Sequence, residues 1–183
     1  YIWTELIQMV NLILIPFFLL MNTLTIYEFN NKSIINNWQI VDDNVMGGIS
    51  SSSISINKNG NGLFKGTVSL ANNGGFSSVR HRTKVVILRD KNHFIIRIKG
   101  DGKNYQFRVK SAISESHSYK HSFNTNGQWQ EIKIPFNALS PTYRGRNLRI
   151  PNFPGQNLEE VCFLISNKKE ESFNLEIDYI EAN

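Results

Sequence analysis

Two adjacent carboxylates precede a glycine turn in the first third of the chain. Asp42 and Asp43 stand just before Met46-Gly47-Gly48. Carboxylates in this position can bind a cation, receive an arginine, or cap the turn by accepting backbone N–H groups, which is the usual role of aspartate there. A general acid and base need contrasting environments on one substrate, whereas adjacent strand residues point to opposite faces. We therefore expect capping or an internal arginine pair, and no acid–base catalysis.

A second polar turn follows further along the chain. Asn72-Asn73-Gly74-Gly75 precedes Arg80. A tight hairpin needs only one Asn-Gly pair to supply its positive φ angles, so the doubled motif exceeds that requirement. Two interpretations remain open. Either the glycines only turn the chain, or the turn brings Asn72, Asn73 and Arg80 to a binding rim of the fold.

Arginines cluster in a stretch that lacks acids. Arg144, Arg146 and Arg149 lie together, and residues 132–158 contain no aspartate or glutamate. Because arginine forms planar, bidentate contacts with carboxylate or phosphate, this loop can serve as an anion-binding or partner-docking edge. In the alternative, Arg144 or Arg146 pairs with an acidic residue and locks the loops together, the candidates being Asp42, Asp43 and Asp101.

The sequence offers no constellation for catalysis, a cofactor or a metal. Cys162, the single cysteine, lies in an apolar run that is typical of a buried thiol, and it permits no internal disulfide. His117 and His121 would lie about 13 Å apart on one face of a strand, too far to share a metal. No glycine-rich phosphate loop, serine elbow or zinc signature is present. We predict no catalytic residues, no cofactor and no metal site.

Alternating apolar and polar residues dominate from residue 24 onward, which is the pattern of half-buried strands. The alternation is clearest in residues 64–70, 105–110 and 173–179, and it groups Tyr179 with the core residues. Asn-Gly and Gly-Gly turns separate such segments. We predict an all-β fold, an antiparallel β-sandwich or jelly roll. Residues 137–156, with three prolines, are expected to be irregular and to wrap one edge or one end of the sandwich. Weaker strand candidates are residues 38–41, 49–56, 76–80, 93–99, 118–123, 129–134 and 161–166.

The 183 residues suit one domain, which we place at residues 24–183, behind an apolar segment 1–22. That segment is interpreted in three ways: an export signal or membrane anchor, a spurious extension ahead of Met21, or a packed helix. The protein is expected to be exported or membrane-anchored if residues 9–22 are translated, with membrane contact only through them. It is expected to be cytoplasmic if Met21 is the start.

Positive charge is unevenly distributed along the chain. The formal net charge is +5, and residues 80–110 contain ten lysines or arginines against Asp90 and Asp101. A basic face can attract phosphate, RNA or an acidic protein surface. Alternating charges on exposed strand faces would give the same pattern in sequence.

Five motifs, taken in order, carry a resemblance to a known family. Their sequence and spacing over residues 27–182 resemble the complex I intermediate-associated protein 30 family, the NADH:ubiquinone oxidoreductase intermediate-associated domain. The motifs are Trp38 with Asp42–Ser50, Phe64–Leu70 with Asn72–Arg80, Gly100–Tyr105, Trp129–Phe136, and Tyr143–Arg146.

This resemblance implies a galactose-binding-like β-sandwich without established catalytic residues. It further implies a chaperone-like assembly factor that binds protein, with respiratory-complex subunits as partners. One alternative is a carbohydrate-binding module with a glycan ligand, motivated by polar rim residues such as Asn72, Asn73, Arg80 and Asp101. A second is RNA binding through the basic residues 80–110, although Tyr105 and Phe107 share the expected core face and are poorly placed to stack on bases.

Overall fold

The computed structural model describes residues 23–183. The predicted signal, anchor or extension in residues 1–22 lies outside the described residues. Within residues 23–183, no helix is long and apolar enough to cross a membrane.

Short strands account for most of the described chain, joined by four single 3-10 turns. The turns are Ile35–Asn37, Asp43–Met46, Ala71–Asn73 and Phe136–Ala138. The strands are β1 (Leu24–Glu28), β2 (Trp38–Asp42), β3 (Ser51–Ile56), β4 (Gly62–Val68), β5 (Ser77–Ile87), β6 (His93–Gly100), β7 (Asn104–Lys110), β8 (Ser118–Asn124), β9 (Trp129–Pro135), β10 (Ser140–Tyr143), β11 (Arg146–Asn147), β12 (Asn157–Ile165) and β13 (Glu171–Ala182).

The strands form two sheets that pack face to face. The six-stranded sheet has the order β3-β4-β13-β6-β9, with β1 also paired to β13. The seven-stranded sheet has the order β11-β10-β8-β7-β12-β5-β2. Every strand pair is antiparallel. The prediction of an all-β antiparallel sandwich is confirmed.

Side-chain alternation builds the core between the sheets. Tyr105, Phe107 and Val109 of β7 point inward and are at most 1% exposed, while the residues between them are half-exposed on the outer face. Phe94 of β6 packs against Phe107 across the sandwich, with ring centroids 5.5 Å apart. Burial of such aromatic rings removes a large apolar area from water, which is the main favourable contribution to folding. The inward position of Tyr105 and Phe107 agrees with the sequence pattern.

The alternation in β13 fails at its C-terminal half. A register shift between Ile177 and Tyr179 inserts one extra residue, Asp178, relative to β6. A bulge of this kind exchanges the two faces of the residues that follow it. Ile180 and Ala182 are therefore fully buried, and Tyr179 lies on the outer face, where its hydroxyl donates to Glu131. The prediction that Tyr179 shares the core face is wrong.

Residues 137–156 are more regular than predicted. They contain the β10–β11 hairpin, which extends the edge of the seven-stranded sheet, and they bury Leu139 and Phe153 in the core. The expectation of a wholly irregular loop is corrected. Of the two positions expected for it, an edge or an end of the sandwich, the structure shows the edge.

Candidate binding cleft

Asp43 joins two loops at one point. Its side chain is 3% exposed and accepts hydrogen bonds from the Ser50 backbone N–H at 3.1 Å, the Gly75 N–H at 2.7 Å and the Phe76 N–H at 3.3 Å. The Ser50 hydroxyl donates a fourth. Burial alone would raise the pKa of Asp43, but these hydrogen bonds outweigh it and the pKa is lowered. This carboxylate therefore caps the turns, which is one of the two roles that the sequence left open for it.

Two glycines are required by that buried carboxylate. A Cβ at Gly48 would lie 2.2 Å from Asp43 Oδ1, and a Cβ at Gly74 would lie 2.6 Å from Oδ2. Asn72, with φ 55°, donates its side-chain amide to the Gly47 carbonyl at 3.0 Å. The doubled Asn-Asn-Gly-Gly motif thus has a structural purpose beyond a hairpin turn, since it fits the loop around Asp43.

Asp42 makes a separate set of contacts. Its carboxylate accepts hydrogen bonds from the Ser52 N–H at 3.0 Å, the Ser52 hydroxyl at 2.8 Å and the Ser77 hydroxyl at 2.6 Å. Neither Asp42 nor Asp43 forms an ion pair with an arginine of residues 23–183. The capping interpretation of this acidic pair is supported, and the arginine alternative is not.

Arg144 lies at the tip of the β10–β11 hairpin. Arg144 and Gly145 are the two central residues of a turn between Tyr143 and Arg146, with φ angles of 47° and 79°. Positive φ at both positions is the geometry of a type I′ hairpin. The Arg144 guanidinium lies 5.4 Å from the centroid of the Tyr143 ring. Its charge is therefore held at the edge of the sheet, where it does not lock the loops together.

Five of the eight candidate site residues line one cleft of about 670 Å³. These five are Asp42, Asp43, Asn73, Arg80 and Arg144. The other three lie outside it. Asn72 is bonded to Gly47, the Arg146 carbonyl accepts a hydrogen bond from Thr142 at 3.1 Å, and Asp101 contacts Lys103, the Tyr105 hydroxyl and the Asn174 N–H.

The floor of the cleft is the outer face of the seven-stranded sheet. Arg80, Arg108, Glu160 and Cys162 line it from β5, β7 and β12. Their chain neighbours Val79, Phe107, Val161 and Phe163 are fully buried or nearly so in the core, which fixes the opposite orientation of the lining residues. The cleft therefore lies between the Asp43 loops and the Arg144 hairpin.

Charges on the cleft floor are only partly compensated. Glu160, 5% exposed, lies 4.0 Å from Arg80 and 3.6 Å from Arg82. Arg108 donates from Nε and Nη2 to a single amide oxygen, that of Gln106, at 3.0 and 2.7 Å. Burial lowers the pKa of Arg108, and the nearby charge of Arg80 lowers it further. Arginine nevertheless stays protonated in proteins, so both guanidinium groups keep their charge.

Cys162 lies between these two arginines. Its thiol is 4% exposed, and burial raises the pKa of Cys162 to about 11, although both arginines oppose that rise. A thiol with such a pKa is protonated at neutral pH and is a poor nucleophile.

Sequence reasoning missed the centre of the cleft. Arg108 lies between the inward Phe107 and Val109, so alternation in β7 contained the signal that places it outward. Glu160 and Cys162 were harder to find, because the almost continuous apolar run at Val161–Ile165 hides which residues of β12 face outward.

The fold and the cleft define the class of protein as a jelly-roll β-sandwich with a polar cleft on one sheet. The family 11 carbohydrate-binding module of Clostridium thermocellum, solved with a β-1,3-1,4-mixed-linked tetrasaccharide, has a similar fold at a TM-score of 0.63. That similarity has 18% identity and covers 87% of this chain and 94% of the module. An agarase is similar at a TM-score of 0.59 and 9% identity, over 88% of this chain and 24% of the agarase. At these identities the similarity concerns the fold alone.

The chain belongs to the complex I intermediate-associated protein 30 family, whose sequence profile matches residues 27–177. The probable mitochondrial complex I intermediate-associated protein 30 of Caenorhabditis elegans is 26% identical, over 84% of this chain and 52% of that protein. The mitochondrial complex I intermediate-associated protein 30 of Mus musculus is 24% identical, over 85% of this chain and 54% of that protein. The chain thus spans about half the length of the curated relatives it matches.

Proposed function

We propose that this domain is a non-catalytic protein-binding module that acts in the assembly of a respiratory complex, and that its partner docks in the cleft. Family membership motivates the class of partner, because the matched relatives carry the name complex I intermediate-associated protein 30. The observation that carries the proposal is a cleft of about 670 Å³ whose floor presents partly uncompensated arginines. Clefts of this size with a few convergent polar groups are the usual places of ligand recognition.

The engagement of the cleft carboxylates supports a non-catalytic role. Asp42 and Asp43 use their oxygens to hold the loops, and Glu160 faces two arginines. A general base must be free to accept a proton from a substrate, and a nucleophile needs a lowered pKa or an adjacent base. None of these three carboxylates is placed for the first role, and the raised pKa of Cys162 disfavours the second.

Glycan and RNA binding are supported less well. Both ligands are usually held by stacking on exposed aromatic rings. Tyr143, at 41%, is the only exposed aromatic side chain among residues 23–183, and the Arg144 guanidinium lies over its ring. Tyr105 and Phe107, which gave the basic segment its resemblance to an RNA-binding surface, are fully buried.

Affinity capture from the native host tests the proposal. Tagged full-length chain is expressed in that host, cross-linked and purified, and co-purifying proteins are identified by mass spectrometry. We expect respiratory-complex subunits to be enriched with the wild-type chain and depleted with the double variant Arg80→Gln/Arg108→Gln. Arg89→Gln is the matched control, since it removes the same kind of charge from an exposed loop between β5 and β6.

Two results would contradict the proposal. If repeated captures enrich no protein, the proposed assembly role is wrong. Equal recovery of partners by the wild-type chain and the folded double variant would show that the partner binds away from the cleft.

A further inference from the structure

A row of outward-facing residues crosses the seven-stranded sheet at right angles to its strands. The pairing register places Gln39 opposite Arg80, Arg80 opposite Cys162, Cys162 opposite Arg108, and Arg108 opposite Lys120. Since neighbouring strands lie about 4.8 Å apart, the Cα atoms of Arg80 and Arg108 are separated by about 10 Å, and the Cα atom of Lys120 lies about 5 Å further on. Arg80, Arg108 and Lys120 therefore extend from backbone positions along one line of about 14 Å, and we call these three residues the cationic row.

Negative charge compensates the cationic row only in part. Within residues 23–183, Arg108 contacts no carboxylate, and its two hydrogen bonds go to the neutral Gln106 amide. Nε of Arg80 is buried and has no hydrogen-bond partner, and the Glu160 carboxylate that faces Arg80 is shared with Arg82. Lys110, in the neighbouring row, donates to the Glu115 backbone carbonyl rather than to an acid.

Partial burial makes this imbalance favourable for an anion. A half-buried guanidinium without a counter-charge loses part of its hydration, and the neutral Gln106 amide compensates Arg108 for only part of that loss. A bound carboxylate would accept charge-assisted, bidentate hydrogen bonds from the guanidinium groups, and such bonds are about twice as strong as neutral ones. The negative charge of the bound carboxylate would also offset the repulsion between Arg80 and Arg108.

We propose that the cationic row binds the carboxylates of a short acidic peptide segment, presented by the protein partner of the cleft. This inference rests on the proposed function and names its chemistry. An extended peptide rises about 3.3 Å per residue, so a line of 14 Å matches about four residues. Two or more glutamates or aspartates within such a segment are enough to meet Arg80 and Arg108. The shortage of exposed aromatic rings favours a peptide over a nucleic acid on the same row.

Fluorescence anisotropy with synthetic peptides tests this inference directly. The probe is a fluorescein-labelled octapeptide of alternating Glu and Ser, and the matched neutral probe replaces each Glu by Gln. We expect the acidic peptide to bind at least about tenfold more tightly than the neutral one, with affinity falling as salt rises. Arg108→Gln and Arg80→Gln should each weaken binding by about tenfold, and Arg89→Gln should change it by less than about twofold.

Arg108→Lys separates charge from geometry. It keeps the positive charge but removes the planar fork, so we expect an affinity between those of the wild-type chain and Arg108→Gln. Each variant is first checked by its thermal unfolding curve, and Arg80→Gln provides an independent test if Arg108→Gln unfolds.

Several outcomes would overturn the inference. The first is that the neutral peptide binds as tightly as the acidic one, and the second is that a folded Arg108→Gln variant binds the acidic peptide as tightly as the wild-type chain. The third is that an eight-nucleotide oligouridine or a mixed-linked β-glucan tetrasaccharide binds more tightly than the acidic peptide, in a way that depends on Arg108. Failure here is distinguishable from failure of the proposed function. If partners are captured from the host but neither arginine affects peptide binding, only the carboxylate chemistry is wrong; if the peptide binds as expected and no partner is captured, the assembly role is wrong.

Discussion

Replacement of Asp43 by alanine is the sharpest test of how the two loops beside the cleft are held. The change removes four hydrogen bonds to one carboxylate and leaves the backbone N–H groups of Ser50, Gly75 and Phe76 without their acceptor. A hydrogen bond to a charged group contributes about 1.5–3 kcal/mol, and a buried donor left unsatisfied costs about 1–3 kcal/mol. Water can reach the half-buried Gly75 and Phe76, so we expect a net loss of about 3–4 kcal/mol.

Asp42→Ala is the matched control. It removes an adjacent, half-buried carboxylate with three hydrogen bonds, and only one of them, from Ser52, comes from a backbone N–H. We expect a loss of about 1–2 kcal/mol. The difference between the variants therefore isolates the effect of burial and of backbone donors.

Urea unfolding, followed by tryptophan fluorescence, measures both variants. Trp38 is 4% exposed and should report loss of the core. With a slope of about 2 kcal/mol per M, Asp43→Ala should lower the midpoint by about 1.5–2 M and Asp42→Ala by about 0.5–1 M. The pKa of Asp43 is lowered in the fold, so its stabilisation is present above about pH 4 and is lost as the pH falls through the folded value. The gap between wild type and Asp43→Ala should accordingly narrow in acid.

The result that would refute this reasoning is simple to recognise. If Asp43→Ala shifts the midpoint by less than about 0.5 M, or by no more than Asp42→Ala, the loops are held by other contacts.

Three further predictions concern titration, turn geometry and the thiol. Burial lowers the pKa of His81 and of His93, the latter with a contribution from a nearby lysine. Below about pH 6.5 the unfolded chain therefore binds more protons than the folded chain. The urea midpoint should be lower at pH 5.5 than at pH 7.5, and an unchanged midpoint would contradict this. Gly145→Ala meets no atom within 4 Å but keeps a φ of 79°, so it should cost only about 1 kcal/mol and lower Tm by about 2–4 °C, whereas a fall above about 10 °C would point to a lost contact. Because the thiol of Cys162 is buried, it should react with Ellman's reagent only at the rate at which the protein unfolds. Rapid labelling of the native protein would show that the reagent reaches this thiol through the cleft.

Local alternation predicted those parts of the fold that depend on it alone. In β7, a strict period of two identified the inward face and, by exclusion, the outward Arg108. In β13 the same rule failed beyond Ile177, because a bulge adds one residue to one strand and leaves no mark in that strand's own composition. The β10–β11 hairpin escaped prediction because its strands are short and its turn uses Arg-Gly instead of Asn-Gly.

The cleft could be predicted only in part because it depends on long-range pairing. Loop and turn chemistry predicts a site at Asp42, Asn73 and Arg80, and these residues do line one cleft. The same chemistry predicts Asp101, yet Asp101 forms hydrogen bonds with Lys103, Tyr105 and Asn174 outside the cleft. Which polar residues meet is decided by the order of strands in the sheet, and that order is not encoded in any single segment.

The two walls of the cleft differ in how they are fastened, and this has a consequence for induced fit. The wall that contains Asp43 is tied by several hydrogen bonds to one buried carboxylate, so it can change shape only by breaking them together. The opposite wall is a hairpin of two residue pairs with Gly145 at its tip. Any adjustment to a bound partner must therefore come from the hairpin. The affinity will depend on how well the partner fits between a movable hairpin and a rigid opposite wall.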